Sequence, residues 1–291
     1  SGGTEADNIA IRCGMVDLGI NHAITSRIEH HAVGQTLEDL ASKGLIKLSY
    51  VDLDHKGNIV FSHLEELLKA NSRSFVSLMH ANNEIGNLLD IMAVGEMCKT
   101  YDSIFHSDTV QTIAHYNFDL QELPIHFLTG AAHKFHGPKG IGFLYINADI
   151  SIKPFISGGG QERNMRAGTE NVYGIAGLSK AMDVSYRDLQ EHRTHIEMLK
   201  QHMIKGLKNA IPGVEFNGES GNLEKSLYTV LNVLFPQTEI GEMLFYNLDI
   251  LGIASSAGSA CSSGSNLGSH VLRAIGNDMS RPSLRFSFSK Y

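Results

Sequence analysis

Lys134 occupies a position in this chain that suggests covalent chemistry. It lies in a Gly/Pro-containing loop between two short apolar runs, residues 125–128 and residues 141–146, which are predicted to be buried strands. Desolvation at the end of a buried strand lowers the pKa of an amine, and a neutral amine can form a Schiff base with an aldehyde. The sequence therefore predicts a reactive lysine here. The alternative is an ordinary lysine of a surface loop.

A carboxylate and a glycine turn would complement such an amine. Asp108 follows the predicted strand at residues 104–106, and an ionised carboxylate there would keep a pyridine nitrogen protonated and make the ring an electron sink. Gly3 and Thr4 open a predicted helix, where backbone N–H groups can bind phosphate. Ordinary alternatives exist for both, since Asp often caps a helix and many strand-to-helix turns contain glycine.

Four polar residues near other predicted strand ends could contact a flat ligand. His30 or His31 could stack on a ring and transfer protons, although either could equally be a half-buried residue at a helix start. Asn83 and Gln111 could form hydrogen bonds with a phenolic oxygen or a carboxylate, or could instead stabilise turns.

Two further residues are candidates for substrate chemistry. Arg285 lies in a predicted strand and needs an acidic partner, either the carboxylate of a substrate or a structural ion pair. Cys261 lies among Gly, Ser and Ala residues that could not pack a core, so we expect a mobile loop with a reactive thiol. Cys13 and Cys98 have apolar neighbours in helical patterns and are predicted to be buried packing residues.

Alternating strands and helices must position these residues. Helices are predicted near residues 4–19, 30–40, 64–68 and 92–101, and strands near residues 23–26, 45–51, 74–79 and 104–106. This alternation predicts an α/β fold with a mainly parallel sheet covered by helices on both faces. Ligands bind at the carboxyl ends of such strands, so the candidates located there should converge on one crevice. They are Gly3, His30, Asn83, Asp108 and Lys134.

A change of pattern after residue 189 predicts two domains. Residues 1–189 form the large α/β domain. Residues 190–291 form a smaller α+β domain, with strands near residues 214–216, 227–234 and 250–255 and a helix near residues 240–248. The turn at residues 1–3 has no strand before it and the chain ends on a predicted strand, so we expect a fragment trimmed at both ends.

The composition argues against several classes of protein. The chain has 291 residues and a net charge of -7, which disfavours nucleic acid or an anionic membrane as the main partner. Its apolar runs are too short to span a membrane. Three widely separated cysteines predict a reduced, cytoplasmic protein, and the histidines show no zinc-like spacing with them, so no metal is expected.

Nine motifs, which together span almost the whole chain, resemble one known family in order. They are SGGTEADN (1–8), EHHAV (29–33), HANNEIG (80–86), HSDTVQ (106–111), AHKFHGPKG (132–140), GGGQER (158–163), RAGTEN (166–171), GSAC (258–261) and LRFS (284–287). The chain resembles the pyridoxal-phosphate-dependent cysteine desulfurases of iron–sulfur cluster assembly, in the class V aminotransferase group. The resemblance implies a fold-type I PLP-transferase with a mainly parallel, seven-stranded-type sheet.

The resemblance also implies roles around the cofactor, pyridoxal 5'-phosphate. Lys134 would form the Schiff base, and His30, rather than His31, would stack on the ring. Asp108 would pair with the pyridine nitrogen, while Gln111 and Asn83 would reach the ring oxygen or the substrate.

The family pattern further implies a phosphate site and a homodimer. Gly3, Thr4 and His133 would hold the phosphate, and Thr169 would reach the phosphate of a partner subunit. Ala131 departs from the family, which often has a phosphate-binding Ser at this position, so one contact would be lost. Residues 289–290, Ser-Lys, replace a usual Gly-Arg.

The implied reaction is removal of sulfur from L-cysteine. Arg285 would bind the substrate carboxylate, and Cys261, on a mobile loop, would take the sulfur as a persulfide while L-alanine is released. A scaffold or carrier protein would accept the sulfur. The alternatives are another class V enzyme, such as a selenocysteine lyase or a transaminase, and an inactive truncated paralogue that only binds partners.

Overall fold

A computed structural model of the chain describes residues 1–71, 73–238, 241–257 and 268–291. The chain divides into two compact units. The first comprises Ser1–Asp52, Val60–His80 and Asp90–Leu189, and the second comprises Leu53–Ile59, Ala81–Leu89 and Gln190–Tyr291. The second unit therefore includes two early segments in addition to the C-terminal stretch. The division into domains at residue 189 stays a prediction.

The first unit alternates strands and helices along the chain. Its elements are α1 (Gly3–Asp17), β1 (His22–Thr25), α2 (His31–Ser42), β2 (Lys47–Tyr50), α3 (Phe61–Ala70), β3 (Phe75–Ser77), α4 (Ile91–Thr100), β4 (Ile104–Asp108), β5 (Phe127–Ala131), a 3₁₀ helix (Ala132–Phe135), β6 (Gly142–Ile146), α5 (Gln161–Asn164) and α6 (Val172–Arg187). None of the described helices combines the length and the apolar composition needed to cross a bilayer.

Six strands form the sheet of the first unit, in the order β2-β1-β3-β4-β5-β6. The first five are parallel, and β6 runs antiparallel to β5. The predicted α/β class with a mainly parallel sheet is confirmed, although the described residues supply six strands where a seven-stranded type was expected. Asp108, at the end of β4, is in register with Thr129 of β5.

Helix α1 packs closely on this sheet because of one glycine. A Cβ on Gly14 would lie 2.8 Å from Cε2 of Phe75 and 3.3 Å from Cε2 of Phe127. Both rings are fully buried, as are Ile11 and Met15 of the same helix, and burying a side chain of this size stabilises a fold by about 1.5–3 kcal/mol. This contact places the first two turns of α1 beside the ends of β4 and β5.

The second unit is a smaller α+β arrangement. Its elements are α7 (Leu189–Ala210), β7 (Glu215–Phe216), β8 (Val230–Leu234), a 3₁₀ helix (Gly241–Met243), α8 (Leu244–Ile250), β9 (Ser256–Ala257), α9 (His270–Ala274) and β10 (Ser283–Ser287). The strands form a sheet in the order β7-β8-β10-β9, with antiparallel neighbours. The strand predicted at residues 250–255 is wrong, because α8 continues to Ile250 and a turn at Gly252 (φ 77°) follows it.

Asn87 joins the early segments of the second unit to its C-terminal part. Its Nδ2 donates to Lys56 O (2.8 Å) and to Asn58 Oδ1 (3.0 Å), and its Oδ1 accepts from Glu219 N (2.8 Å). One amide side chain thus satisfies three polar groups that are distant in the sequence.

Lys200 of α7 is completely buried within the second unit. Its Nζ donates hydrogen bonds to Ser226 Oγ (2.8 Å) and to Leu227 O (2.9 Å). Burial lowers the pKa of this amine to about 7, because desolvation disfavours its charged form.

We expect the effect of Lys200→Met on stability to depend on pH. Below about pH 7 the amine is protonated in the folded and unfolded states alike. Between about pH 7 and pH 10.5 the unfolded amine keeps a proton that the folded amine has lost. The free energy of unfolding of the wild type should therefore rise relative to that of the variant, by up to about 1.4 kcal/mol per pH unit.

Urea unfolding at about pH 6 and about pH 9 measures this difference. Lys205→Met, at an exposed position of the same helix, is the matched control. A difference between wild type and Lys200→Met that stays constant with pH would contradict the expectation.

Candidate active site

The carboxyl end of β4 holds a buried carboxylate. Asp108 is 5% exposed, and its Oδ1 accepts a hydrogen bond from Val110 N (2.9 Å). Burial, followed by the charge of Asp7, raises the pKa of Asp108 to about 7. An acid in such a place is stabilised in its ionised form by an adjacent cation, so Asp108 suits a protonated ring nitrogen.

His30 lies beside this carboxylate. It is the N-cap of α2, and its Nδ1 accepts a hydrogen bond from Ala32 N (3.1 Å), which fixes the ring and leaves Nε2 to carry the proton of a neutral imidazole. A ring nitrogen of His30 and one carboxylate oxygen each of Asp7 and Asp108 lie within 4.8 Å of one another. Of the two histidines that the sequence left open, His30 is therefore the one grouped with Asp108.

Asp7 belongs to this group although the sequence analysis did not select it. It lies on the buried side of α1, and its Oδ1 accepts a hydrogen bond from Thr129 Oγ1 (2.9 Å) and lies 3.4 Å from His106 Nε2. Burial raises the pKa of Asp7 to about 7. The signal was an acidic residue between Ala6 and Ile9 on the apolar stripe of a helix, where an unpaired charge is costly.

Glu29 is a second buried acid that sequence reasoning missed. Its two carboxylate oxygens accept from Met79 N (3.2 and 3.0 Å), and Oε1 also accepts from Ser26 Oγ (2.8 Å). Burial raises the pKa of Glu29 to about 8. These bonds join the loop after β1 to the residues after β3, and the next residue in that loop is His30.

Lys134 is more exposed than the sequence predicted. It lies in the 3₁₀ helix after β5, where Ala132 and Phe135 are buried while His133 and Lys134 are exposed. Residues three apart share a face of a 3₁₀ helix, so the two intervening side chains point outward. The expected desolvation of the Lys134 amine is therefore wrong for this structure. Its role as the Schiff-base lysine stays a prediction.

Gly3 begins α1 at a place where only glycine fits. A Cβ on Gly3 would lie 2.7 Å from Cγ2 of Val110 and 3.8 Å from Cβ of Ala131. The N-terminus of a 15-residue helix without a side-chain cap is thereby held against the ends of β4 and β5, and such a terminus suits an anion. Thr4, the next residue of α1, and His133, two residues beyond Ala131, are both exposed.

Gln111 and Thr169 lie in different parts of the first unit. Gln111 is half-buried in the loop after β4, three residues beyond Asp108. Thr169 is exposed and lines a cavity of about 470 Å³ that runs along β6. Asp108, His30 and Lys134 do not line this cavity, so it is separate from the group of titratable residues.

Arg285 meets the segment that carries Asn83, and both belong to the second unit. Arg285 lies in β10, in register with Asn232 of β8 and Ser256 of β9. Its Nη1 donates to Asn83 O (2.9 Å), and its Nη2 lies 3.4 Å from Ser256 Oγ. The guanidinium is therefore fixed in part by a backbone carbonyl of the segment that carries Asn83.

The cysteines divide as the sequence suggested where the structure describes them. Cys13 and Cys98 are buried, which confirms that prediction, and burial raises the pKa values of their thiols to about 11 and about 12. Cys261 and the predicted mobility of its loop lie outside the described residues.

Comparison with known proteins places the whole chain. The aminotransferase class-V profile matches residues 1–291. A cysteine desulfurase IscS of Clostridium botulinum strain Hall is 41% identical over 299 residues, which cover 99% of this chain and 72% of the relative. A putative cysteine desulfurase IscS 1 of Bacillus subtilis strain 168 is 41% identical over 294 residues, which cover 99% of this chain and 76% of the relative.

Solved structures agree with this comparison. A NifS-like protein superposes with a TM-score of 0.89 at 36% identity, covering 100% of this chain and 76% of that structure. DndA from Streptomyces lividans superposes with a TM-score of 0.84 at 30% identity, covering 99% of this chain and 81% of that structure. The structure of SspA in complex with cysteine superposes with a TM-score of 0.82 at 29% identity, covering 100% of this chain and 80% of that structure.

Proposed function

Since this chain belongs to the aminotransferase class-V family, we propose that it is a pyridoxal-phosphate-dependent cysteine desulfurase. Asp108 beside His30, at the carboxyl end of β4, carries the proposal. The relatives named cysteine desulfurase IscS, at about two-fifths identity over nearly the whole chain, support it.

The residues present fit pyridoxal phosphate. Asp108 is a buried acid suited to a ring nitrogen, His30 offers a half-buried imidazole beside it, and the Gly3 turn offers a helix N-terminus for the phosphate. When bound, the cofactor supplies an aldehyde that reacts with amines and a ring that withdraws electrons from the adjacent carbon.

Each side chain then has a defined task. The amine of Lys134 would hold the cofactor covalently, and the same amine, when free, would accept the proton from the substrate's α-carbon. The carboxylate of Asp108 would keep the proton on the ring nitrogen, and the ring of His30 would stack on the cofactor. Gln111 would donate a hydrogen bond to the ring oxygen.

The substrate is L-cysteine in this proposal. Arg285 binds its carboxylate, assisted by Asn83, whose carbonyl already accepts from the guanidinium. The thiolate of Cys261 would attack the substrate sulfur, and the electron pair of the broken carbon–sulfur bond would stay on the β-carbon, which takes up a proton. The products are L-alanine and a persulfide on Cys261. The terminal sulfur then passes to a thiol of a scaffold or carrier protein. The structure of SspA in complex with cysteine supports this substrate.

Two copies of the chain form the active protein in this proposal. The phosphate would be held by Gly3, Thr4 and His133 of one chain and by Thr169 of its partner. Thr169 is exposed and therefore accessible to a second copy, while the neighbouring Arg166 is anchored to Glu5 (Nε–Oε1, 2.8 Å). Sedimentation of the loaded protein at the mass of one chain would exclude this arrangement. Its cytoplasmic location stays a prediction from cysteine usage.

The test of the reaction uses the purified chain with pyridoxal phosphate, L-cysteine and a dithiol reductant. We expect alanine and sulfide in equal amounts, both dependent on the cofactor. Reaction with L-selenocysteine alone would favour a lyase, and amino transfer to a 2-oxo acid would favour a transaminase. A chain that neither binds the cofactor nor releases alanine would contradict the proposal.

A further inference from the structure

Two acids share one buried site in the first unit. Asp7 is 1% exposed and Asp108 is 5% exposed. One carboxylate oxygen of each lies within 4.8 Å of the other and of a ring nitrogen of His30. Two carboxylates at this separation, away from water, do not both ionise readily, because each negative charge disfavours the other. The proposed reaction uses Asp108 and gives no task to Asp7.

Burial and His106 favour a proton on Asp7, whereas the hydrogen bond from Thr129 favours its ionised form. Thr129, which is in register with Asp108, donates to Asp7 Oδ1. His106 is fully buried, its Nδ1 lies 2.8 Å from Ser77 Oγ, and its Nε2 faces Asp7 Oδ1 at 3.4 Å with no hydrogen-bond partner among the described residues. A protonated Asp7 would supply the missing donor to His106 Nε2 when Nδ1 carries the ring proton.

Titratable groups of α1, of the loop after β1 and of β4 act on Asp108. They are Asp7 of α1, Glu29 and His30 of the loop after β1, and His106 of β4 itself. Asp7 and Glu29 disfavour a second negative charge, whereas the two histidines favour it. Among the four neighbours, Asp7 contributes most to the raised pKa of Asp108, after burial itself.

We propose that Asp7 is a positioning residue that acts through Asp108: the two carboxylates share one proton, and Asp7 takes it fully when a cation pairs with Asp108. The proton that Asp108 loses is taken up by Asp7, so the pair keeps one proton and its total charge does not change. This inference rests on the proposed function, in which the cation is the protonated ring nitrogen. Asp7 thereby lets Asp108 meet the cofactor as an ionised group in a site that would otherwise keep it neutral.

The carboxyl carbons of aspartate, labelled with ¹³C, report the shared proton in the chain without cofactor. The Asp7→Asn and Asp108→Asn spectra assign the two signals. In the wild type we expect both signals to move together in two steps between about pH 4 and pH 9. In Asp7→Asn, which removes the like charge at constant shape, Asp108 should titrate in one step, at a pH lower by at least about 1.

Two further variants keep the test decisive. Thr129→Val removes the donor that favours an ionised Asp7, so Asp7 holds its proton more readily. The midpoint of the Asp108 titration should therefore fall, but by less than in Asp7→Asn. Glu84→Gln, a buried acid of the second unit, is the control and should change nothing at Asp108.

Two outcomes overturn the inference. One is an Asp108 midpoint in Asp7→Asn within about 0.3 of the wild-type value. The other is a wild-type Asp108 signal that titrates alone, in one step, once the two signals have been assigned. Because the titration uses no cofactor, its failure in a chain that releases alanine would remove this inference and leave the proposed function. A chain that cannot bind pyridoxal phosphate would remove the proposed function whatever the titration shows.

Discussion

Lys134→Ala should abolish covalent attachment of pyridoxal phosphate and slow alanine formation by at least about 10³-fold. The substitution removes both the amine that bonds the cofactor and the base that accepts the α-proton, and a positioned base alone contributes about 10²–10⁴-fold. Borohydride reduction followed by peptide mapping should place a pyridoxyl group on Lys134 in the wild type and on no peptide of the variant.

Two matched variants separate the roles of this side chain. Lys139→Ala removes an exposed lysine of the same loop and should leave attachment intact. Lys134→Arg keeps the positive charge without a nucleophilic amine, so it should bind cofactor non-covalently and remain inactive. A pyridoxyl group on Lys139 would overturn the assignment.

Cys261→Ser should keep cofactor binding and lose the desulfurase reaction. Lys134, Asp108 and the Gly3 turn are unchanged by this substitution, so borohydride should still fix the cofactor. A hydroxyl is a poor acceptor for the substrate's sulfur, so we expect no persulfide and a fall in alanine release of at least about 10³-fold. Alkylation and mass spectrometry of the protein after one turnover detect the persulfide directly.

The other two cysteines provide controls. Cys13→Ser and Cys98→Ser bury a hydroxyl among apolar groups, so each should cost about 1–3 kcal/mol of stability without changing the reaction per folded molecule. If Cys261→Ser turned over at the wild-type rate, the desulfurase hypothesis would be rejected in favour of a lyase or a transaminase.

The sequence was informative where a feature depends on neighbours in the chain. Apolar runs bounded by turns marked β4 and β5, and Asp108 and Lys134 followed directly from the ends of those runs. The same reasoning failed at residues 250–255, where an apolar run ends a helix. It also misjudged the exposure of Lys134, which depends on the direction of one 3₁₀ turn.

Features set by packing could not be predicted in this way. Asp7 and Asp108 are a hundred residues apart in the chain, and they come together because Gly14 lets α1 lie on the sheet. Nothing in the spacing of either acid indicates the other. The motif resemblance identified the family but assigned no role to Asp7.

The second unit is built from three separate segments of the chain, and this limits the order in which the chain can fold during synthesis. Residues 53–59 and 81–89 leave the ribosome long before their partners in the C-terminal part of the second unit exist. Asn87 precedes its partner Glu219 by 132 residues, and Glu84, whose carbonyl accepts from the side chain of Asn232, precedes Asn232 by 148 residues. Until then water must satisfy these groups, so the early segments remain hydrated loops on a growing chain. A polypeptide of residues 190–291 alone would lack these partners altogether, so the second unit is completed only when both ends of its discontinuous sequence are present.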